Sequence, residues 1–168
     1  MKKILLLLAI VLSVTSFAQK SQKMGHINSN ELLMMMPENQ QAQKALQQHS
    51  RELEDQSAAM QAELEQKYND YLAKKDSLSP LIQRTRETEL QDLNQRIQAF
   101  QQTAQKDLQA KQQELLKPII EKARNAIREV AKENGYTYVF DTGTGALVYW
   151  PEDSDDLLPL VKAKLGIQ

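Results

Sequence analysis

Between Gln40 and Gln113 apolar residues recur at steps of three and four in two runs, separated by Ser77-Leu78-Ser79-Pro80. The first run is Leu46, Leu53, Met60, Leu64, Tyr68, Tyr71 and Leu72, with Ser57 filling its widest gap. The second is Leu90, Leu93, Ile97, Phe100, Ala104, Leu108, Lys111 and Leu115. Both follow the helical period. If the chain folds back between Leu78 and Ser79, antiparallel partners have residue numbers adding to about 157. Leu64 then faces Leu93, Met60 faces Ile97, Ser57 faces Phe100, Leu53 faces Ala104 and His49 faces Leu108. Large side chains thus oppose small or slender ones, as interdigitated packing requires. The pattern predicts a helical hairpin over residues 37–117. Each stripe holds about two apolar positions in seven, enough for one seam, so the expected arm is thin and flexible. At ~1.5 Å per residue it is on the order of 60 Å long and must protrude from any compact body.

The flanks are patterned differently. Met24-Gly25-His26-Ile27 reads as a short strand, and Asn28 with Glu31 three residues on forms a capping box for a brief helix containing Leu32 to Met36. Pro37 suits the first turn of the next helix. Past Lys117 the apolar face widens through Leu116, Ile119, Ala123, Ile127 and Val130, as expected where an arm enters a packed base. Pro118 is expected to kink this helix and Asn134-Gly135 to end it. Tyr136 to Asp141 alternates as a strand, Thr142-Gly143-Thr144-Gly145 reads as a hairpin turn, and Ala146 to Trp150 as a returning strand. An acidic loop, Glu152 to Asp156, leads to a last helix stopped by Gly166. The expected class is α+β, mainly α, with a long antiparallel hairpin and a small β-rich body built from 19–36 and 118–168. Three short strands are few for independent stability, so the body is expected to oligomerise, with Ile27, Ile119, Ile127, Tyr138 and Phe140 as packing candidates.

Composition changes this picture at the N-terminus. Lys2 and Lys3 precede an apolar run from Ile4 to Leu12, and Ser16 and Ala18 are small residues suited to a signal peptidase. Residues 1–18 are therefore expected to be a cleaved signal peptide and the exported mature chain to be soluble, without stable membrane insertion. The sequence holds 168 residues, carries a formal net charge of -1 and contains no cysteine. Thiol chemistry is absent, and the charge balance makes no general case for nucleic acid. Only two histidines occur, His26 and His49, so a metal site would need carboxylates or other chains. The Thr-Gly-Thr-Gly stretch lacks the lysine and following helix of a phosphate loop. Carboxylates such as Glu63 and Glu65 point to different sides of a helix, and no catalytic centre or cofactor site is expected.

Several motifs carry a family resemblance. They include Lys23-Met24-Gly25-His26-Ile27-Asn28, Glu31-Leu32-Leu33 before Met36-Pro37-Glu38, Lys111-Gln112-Gln113-Glu114-Leu115-Leu116-Lys117-Pro118-Ile119, and Val130 through Asp141. Leu157-Leu158-Pro159-Leu160-Val161-Lys162 completes the set. Over the whole mature chain the sequence resembles the Skp/OmpH periplasmic chaperones in their Bacteroidetes-like form. The resemblance implies a jellyfish-like homotrimer whose arms enclose unfolded outer-membrane β-barrel proteins without ATP. It departs from the family's basic arms, because ten basic and eleven acidic residues nearly cancel between Gln40 and Gln113. Lipid contact is therefore not implied here.

Tyr68, Tyr71 and Phe100 are the arm's only aromatics and its candidates for touching client chains. Phe100 is placed opposite Ser57, and one of the two tyrosines must lie off the seam. Met34, Met35 and Met36 fit either an adaptable client surface or body core. Two readings remain open: a holdase with a weakly apolar cage, and a structural coiled-coil adaptor of the envelope.

Overall fold

The structure, a computed structural model, describes residues 22–167. The expected signal peptide and its cleavage position lie outside these residues. Strand β1 (Met24–Ile27) is followed by helix α1 (Ser29–Met35), helix α2 (Pro37–Lys74), a single 3₁₀ turn (Lys75–Ser77) and helix α3 (Pro80–Glu133). Strands β2 (Tyr138–Asp141) and β3 (Asp155–Asp156) and helix α4 (Leu158–Leu165) complete the chain. The fold is mainly helical with a small sheet. It forms two compact units, Leu33–Ala123 and the residues that flank this span on either side.

The Leu33–Ala123 unit is a helical hairpin. Pro37 opens α2 at its first turn, where its missing N–H costs no hydrogen bond. Ser79 Oγ accepts the Ile82 N–H and Pro80 begins α3, so the Ser-Pro pair starts the second helix as the sequence suggests. The turn is tied by Gln83, whose side-chain amide donates to the carbonyls of Lys75 and Leu78 at 2.8 and 3.2 Å. Helix α3 continues through Pro118, which leaves the Glu114 carbonyl without its usual helical donor.

Three cross-helix pairs establish the register. Glu38 pairs with Lys122, His49 with Asp107 at 2.5 Å, and Tyr71 with Glu87 at 2.6 Å. Their residue numbers add to 160, 156 and 158, bracketing the value read from the stripes. Leu93 and Ile97 are buried, while Leu46, Leu53, Ser57, Met60, Leu64, Phe100, Ala104 and Leu108 are half-buried, as one seam of a two-helix arm allows.

In the other unit the sheet is parallel throughout, in the order β2-β1-β3. Met24 pairs with Tyr138 and Ile27 with Asp141 on one side, and Gly25 with Asp155 on the other. The expected hairpin between Tyr136–Asp141 and Ala146–Trp150 does not form: residues 146–150 have no regular structure, and the third strand is Asp155–Asp156. The reason lies in Thr142–Gly145, which serves α1 instead of a β-turn. Asp141 accepts from the Ser29 amide and hydroxyl at 3.1 and 2.5 Å and from the Gly143 amide at 2.9 Å, while the Gly143 carbonyl accepts from the Asn30 side chain at 2.7 Å. A Cβ on Gly143 would stand 2.6 Å from Asn28 Oδ1 and 3.1 Å from the Asn30 amide nitrogen, so only glycine fits. Asn28 also forms its half of the expected capping box, its side-chain oxygen accepting the Glu31 N–H.

Beyond this clamp Trp150 packs on His26 with ring centroids 5.9 Å apart, and Ser154 hydrogen-bonds the same imidazole. The chain thereby crosses to the far edge of β1. Gly25 permits the crossing, because a Cβ there would stand 2.4 Å from Leu157 Cδ1 and 3.0 Å from the Asp155 carbonyl oxygen. Helices α3 and α4 both end in left-handed glycines, Gly135 at φ 72° and Gly166 at φ 69°. Lys164 then ties α4 to Glu129 and Glu133. Ile27, Leu32, Leu157 and Val161 form the most deeply buried set of this unit.

Candidate functional site

The hairpin places the three aromatic candidates in three environments. Tyr71 is on the seam, 7% exposed, with its hydroxyl donating to Glu87. That bond, then partial desolvation and the negative charge of Glu87, pushes the phenol up to about 12. The ring is covered, yet the arm is only two helices thick and water lies close by, so the acceptor bond outweighs burial. Tyr68 is the tyrosine off the seam, 51% exposed. Phe100 is half-buried. Tyr68 therefore offers an open ring, Phe100 part of one, and Tyr71 its covered face.

Further exposed apolar side chains cluster near the turn. Leu72, Leu81 and Ile82 are 52, 74 and 43% exposed, whereas the seam between Leu53 and Leu64 presents no large exposed hydrophobic residue. Tyr68 and Leu72 are one helical turn apart on α2, and Leu81 and Ile82 lie in the first turn of α3. Sequence periodicity had assigned Tyr68 and Leu72 to the seam. The seam steps seven residues from Leu64 to the buried Tyr71, which leaves Tyr68 and Leu72 exposed. The exposed pair Leu81-Ile82 was not singled out by the stripes, although two adjacent apolar residues in the first turn of a polar helix were visible in the sequence.

At the other end of the hairpin Lys122 donates to Glu38 and holds its carboxyl below the usual carboxylate range. Ile119 is buried nearby in the same unit, and a groove of ≈ 360 Å³ lies between Ala42, Ala45, Leu115 and Pro118. Of the remaining packing candidates, Ile27 is buried within its own chain and Ile127 is half-buried. Tyr138 and Phe140 stack at 6.4 Å and are 52 and 42% exposed. Met35 is half-buried, Met36 is fully buried and Met34 is exposed, so the methionine run divides between core and surface.

Asp141 is the most strongly engaged carboxylate of the sheet unit. Partial burial pulls its carboxyl upward, but the Ser29 hydroxyl, the Ser29 amide and the Gly143 amide together outweigh burial and lower it. Its oxygens are occupied by helix-capping donors, a structural use. Among the described residues no group of three or more His, Cys, Asp or Glu side chains is placed to hold a metal, and no helix is long and apolar enough to cross a membrane.

Comparison with known proteins places this fold in a family. The family described as "Outer membrane protein (OmpH-like)" matches residues 23–165, nearly the whole described chain. The chain belongs to the OmpH-like family. Among solved structures, the fold is shared with an OmpH-like protein of Caulobacter crescentus CB15. The two superpose with a TM-score of 0.74 at 16% identity, over 86% of this chain and 83% of that one. At that identity the likeness concerns the fold. No curated protein sequence matches.

Proposed function

We propose that this OmpH-like protein is a periplasmic chaperone that holds unfolded outer-membrane β-barrel proteins without ATP and without covalent chemistry. Membership of the OmpH-like family supports a chaperone of the Skp/OmpH kind. The observation that carries the holding mechanism is the hairpin's surface: one seam consumes most of its apolar residues and leaves Tyr68, Leu72, Leu81 and Ile82 exposed among polar side chains near the turn. Such a surface makes many weak contacts with an extended chain, which keeps exposed strands apart and still permits release.

The working form in this proposal is a homotrimer, with residues 19–36 and 118–168 as its body and 37–117 as its arms. Exposed apolar side chains in the sheet unit support it: Met24, Tyr138 and Phe140 stand open on a sheet of three short strands, and Val148 and Tyr149 on the irregular segment that follows. Sedimentation of the mature chain should give a trimer; a stable monomer removes the cage.

The direct test is to dilute a β-barrel protein from urea into buffer with and without the mature protein. Suppressed light scattering at about one trimer per client is expected. A structural adaptor would leave scattering unchanged and copurify with one folded envelope partner. Removing residues 50–107 should abolish suppression while leaving a folded trimer.

A further inference from the structure

Among the described residues, three side-chain pairs tie α2 to α3 by hydrogen bonds or ion pairs: Glu38 with Lys122, His49 with Asp107, and Tyr71 with Glu87. The first and last stand toward the two ends of the hairpin, and His49 with Asp107 lies between them. Neither outer tie changes charge near neutral pH. Lys122 holds the Glu38 carboxyl below the usual carboxylate range, and the bond to Glu87 pushes the Tyr71 phenol up to about 12. The middle tie holds the arm's one histidine, and histidine is the side chain that gains and loses its charge between about pH 5 and 8.

The His49 ring stands between two carboxylates. Its Nε2 lies 2.5 Å from Asp107 Oδ2 on α3, and its Nδ1 lies 3.9 Å from Glu52 Oε2, one turn along α2. The other Glu52 oxygen accepts from the Gln48 amide at 3.0 Å. A neutral imidazole carries a single N–H. With the proton on Nε2, Asp107 is served and the Nδ1 lone pair is turned toward Glu52; with the proton on Nδ1, the Nε2 lone pair is pressed on Asp107. Only the doubly protonated ring presents an N–H toward each carboxylate. Of the positions one helical turn from His49 or Asp107, Ala45, Leu46, Leu53, Thr103, Ala104 and Ala110 are uncharged, and Lys111 is engaged by Glu114 at 3.1 Å. No fixed cation takes the place of the imidazolium.

From this geometry we propose that His49 is a proton-operated clasp: charged, it fastens α2 to α3 between Glu52 and Asp107, and neutral, it lets the helices part at mid-seam. With the clasp open, the stretch from Glu38 to Tyr71, on the order of 50 Å of helix, is held across the seam by half-buried side chains such as Leu46, Leu53, Met60 and Leu64 alone. The sign follows from the charges. The contribution is present at the acid end of the histidine range and is lost as pH rises through it; near pH ~4 protonation of the carboxylates removes it again. The clasp belongs to the arm itself and stands or falls apart from the holding function.

The test is site-resolved amide hydrogen exchange on the full mature protein at about pH 5.5 and about pH 7.5, expressed as protection factors so that the intrinsic pH dependence of exchange is removed. Protection around residues 45–53 and 104–111 should be about threefold higher at the acid pH, the effect of one partly exposed charged contact. Amides beside Glu38, Lys122, Tyr71 and Glu87 should not change. H49Q and D107N, which keep a hydrogen-bonding amide at each position, should each abolish the difference and leave mid-seam protection near the wild-type value at the higher pH. E52Q should reduce it, and H26Q, which alters the only other histidine, should leave it intact. A difference that is absent or reversed in the wild type, persists in both H49Q and D107N, disappears in H26Q, or spreads evenly over the whole hairpin overturns the proposal.

Discussion

The hairpin and the sheet unit are held together by opposite strategies. In the hairpin, each contact along the seam repeats its neighbour: a side chain on α2 meets one on α3 at a sum of residue numbers between 156 and 160, and losing one rung leaves the others in register. In the sheet unit, single contacts join distant parts of the chain. The clamp of Asp141 on Ser29 spans 112 positions and the bond between His26 and Ser154 spans 128. A repetitive seam tolerates local opening, which suits a surface that must adapt to unfolded chains. A unit built from few, non-repeated contacts fails more cooperatively.

That contrast can be broken experimentally. The largest effect is expected at Gly25. In G25V the new Cβ meets Leu157 Cδ1, which can yield, and the Asp155 carbonyl, which cannot without parting β3 from β1. A loss of about 3 kcal/mol is expected in urea unfolding, with the hairpin's helical signal retained in the first part of the transition. Should the hairpin melt together with the sheet unit, the two are not separable in stability.

Leu93→Ala removes a buried rung and should cost about 2 kcal/mol, at the low end for a core leucine because a thin arm can collapse around the gap. Amide exchange should speed up along the seam near Met60, Leu64 and Ile97 while protection of β1 and β2 is unchanged. Spread of the effect into the sheet would contradict the repetitive account.

A smaller effect is expected from Asp141→Asn, about 1 kcal/mol, because the carboxylate is partly exposed and its amide replacement retains one acceptor. Its pH dependence is the sharper readout. Asp141 titrates below its ordinary value when folded, so its contribution is complete above the unfolded carboxyl's pKa near ~4 and is lost as pH falls through the lower folded value. D141N should flatten that acid limb of the unfolding curve. Smallest at neutral pH is Tyr71→Phe. The folded phenol titrates at about 12, above the ordinary tyrosine value of 10.0, so the stability it adds is intact below pH 10 and declines as pH rises toward 12. The variant should lose that alkaline decline, read by thermal melting across the range, and change little at pH 7.

The sequence resolved the hairpin almost residue by residue, because its order is local: a period of 3.6, a Ser-Pro turn and complementary sizes across the seam specify one register without outside help. The same reasoning put one of the two tyrosines off the seam without saying which, and placed Leu72 on it. A stripe of spacings three and four cannot say which of two neighbouring positions the seam uses. The sheet unit was legible in its punctuation, Asn28, Gly135 and Gly166, and illegible in its pairing. Ala146 to Trp150 has the composition of a strand, but β-strand preference becomes structure only with a partner. Here Asp141 and Gly143 are drawn to the start of α1, and the chain reaches the far edge of β1 through Trp150 and Ser154.

By itself, then, the chain determined its helices, their caps, the seam and its register, since each depends on residues a few positions apart or on a repeated period. Only the tertiary structure decided the all-parallel order of the sheet and the choice of Tyr68 over Tyr71 as the open ring. Those depend on single long-range contacts and on which surfaces remain uncovered once the chain has closed.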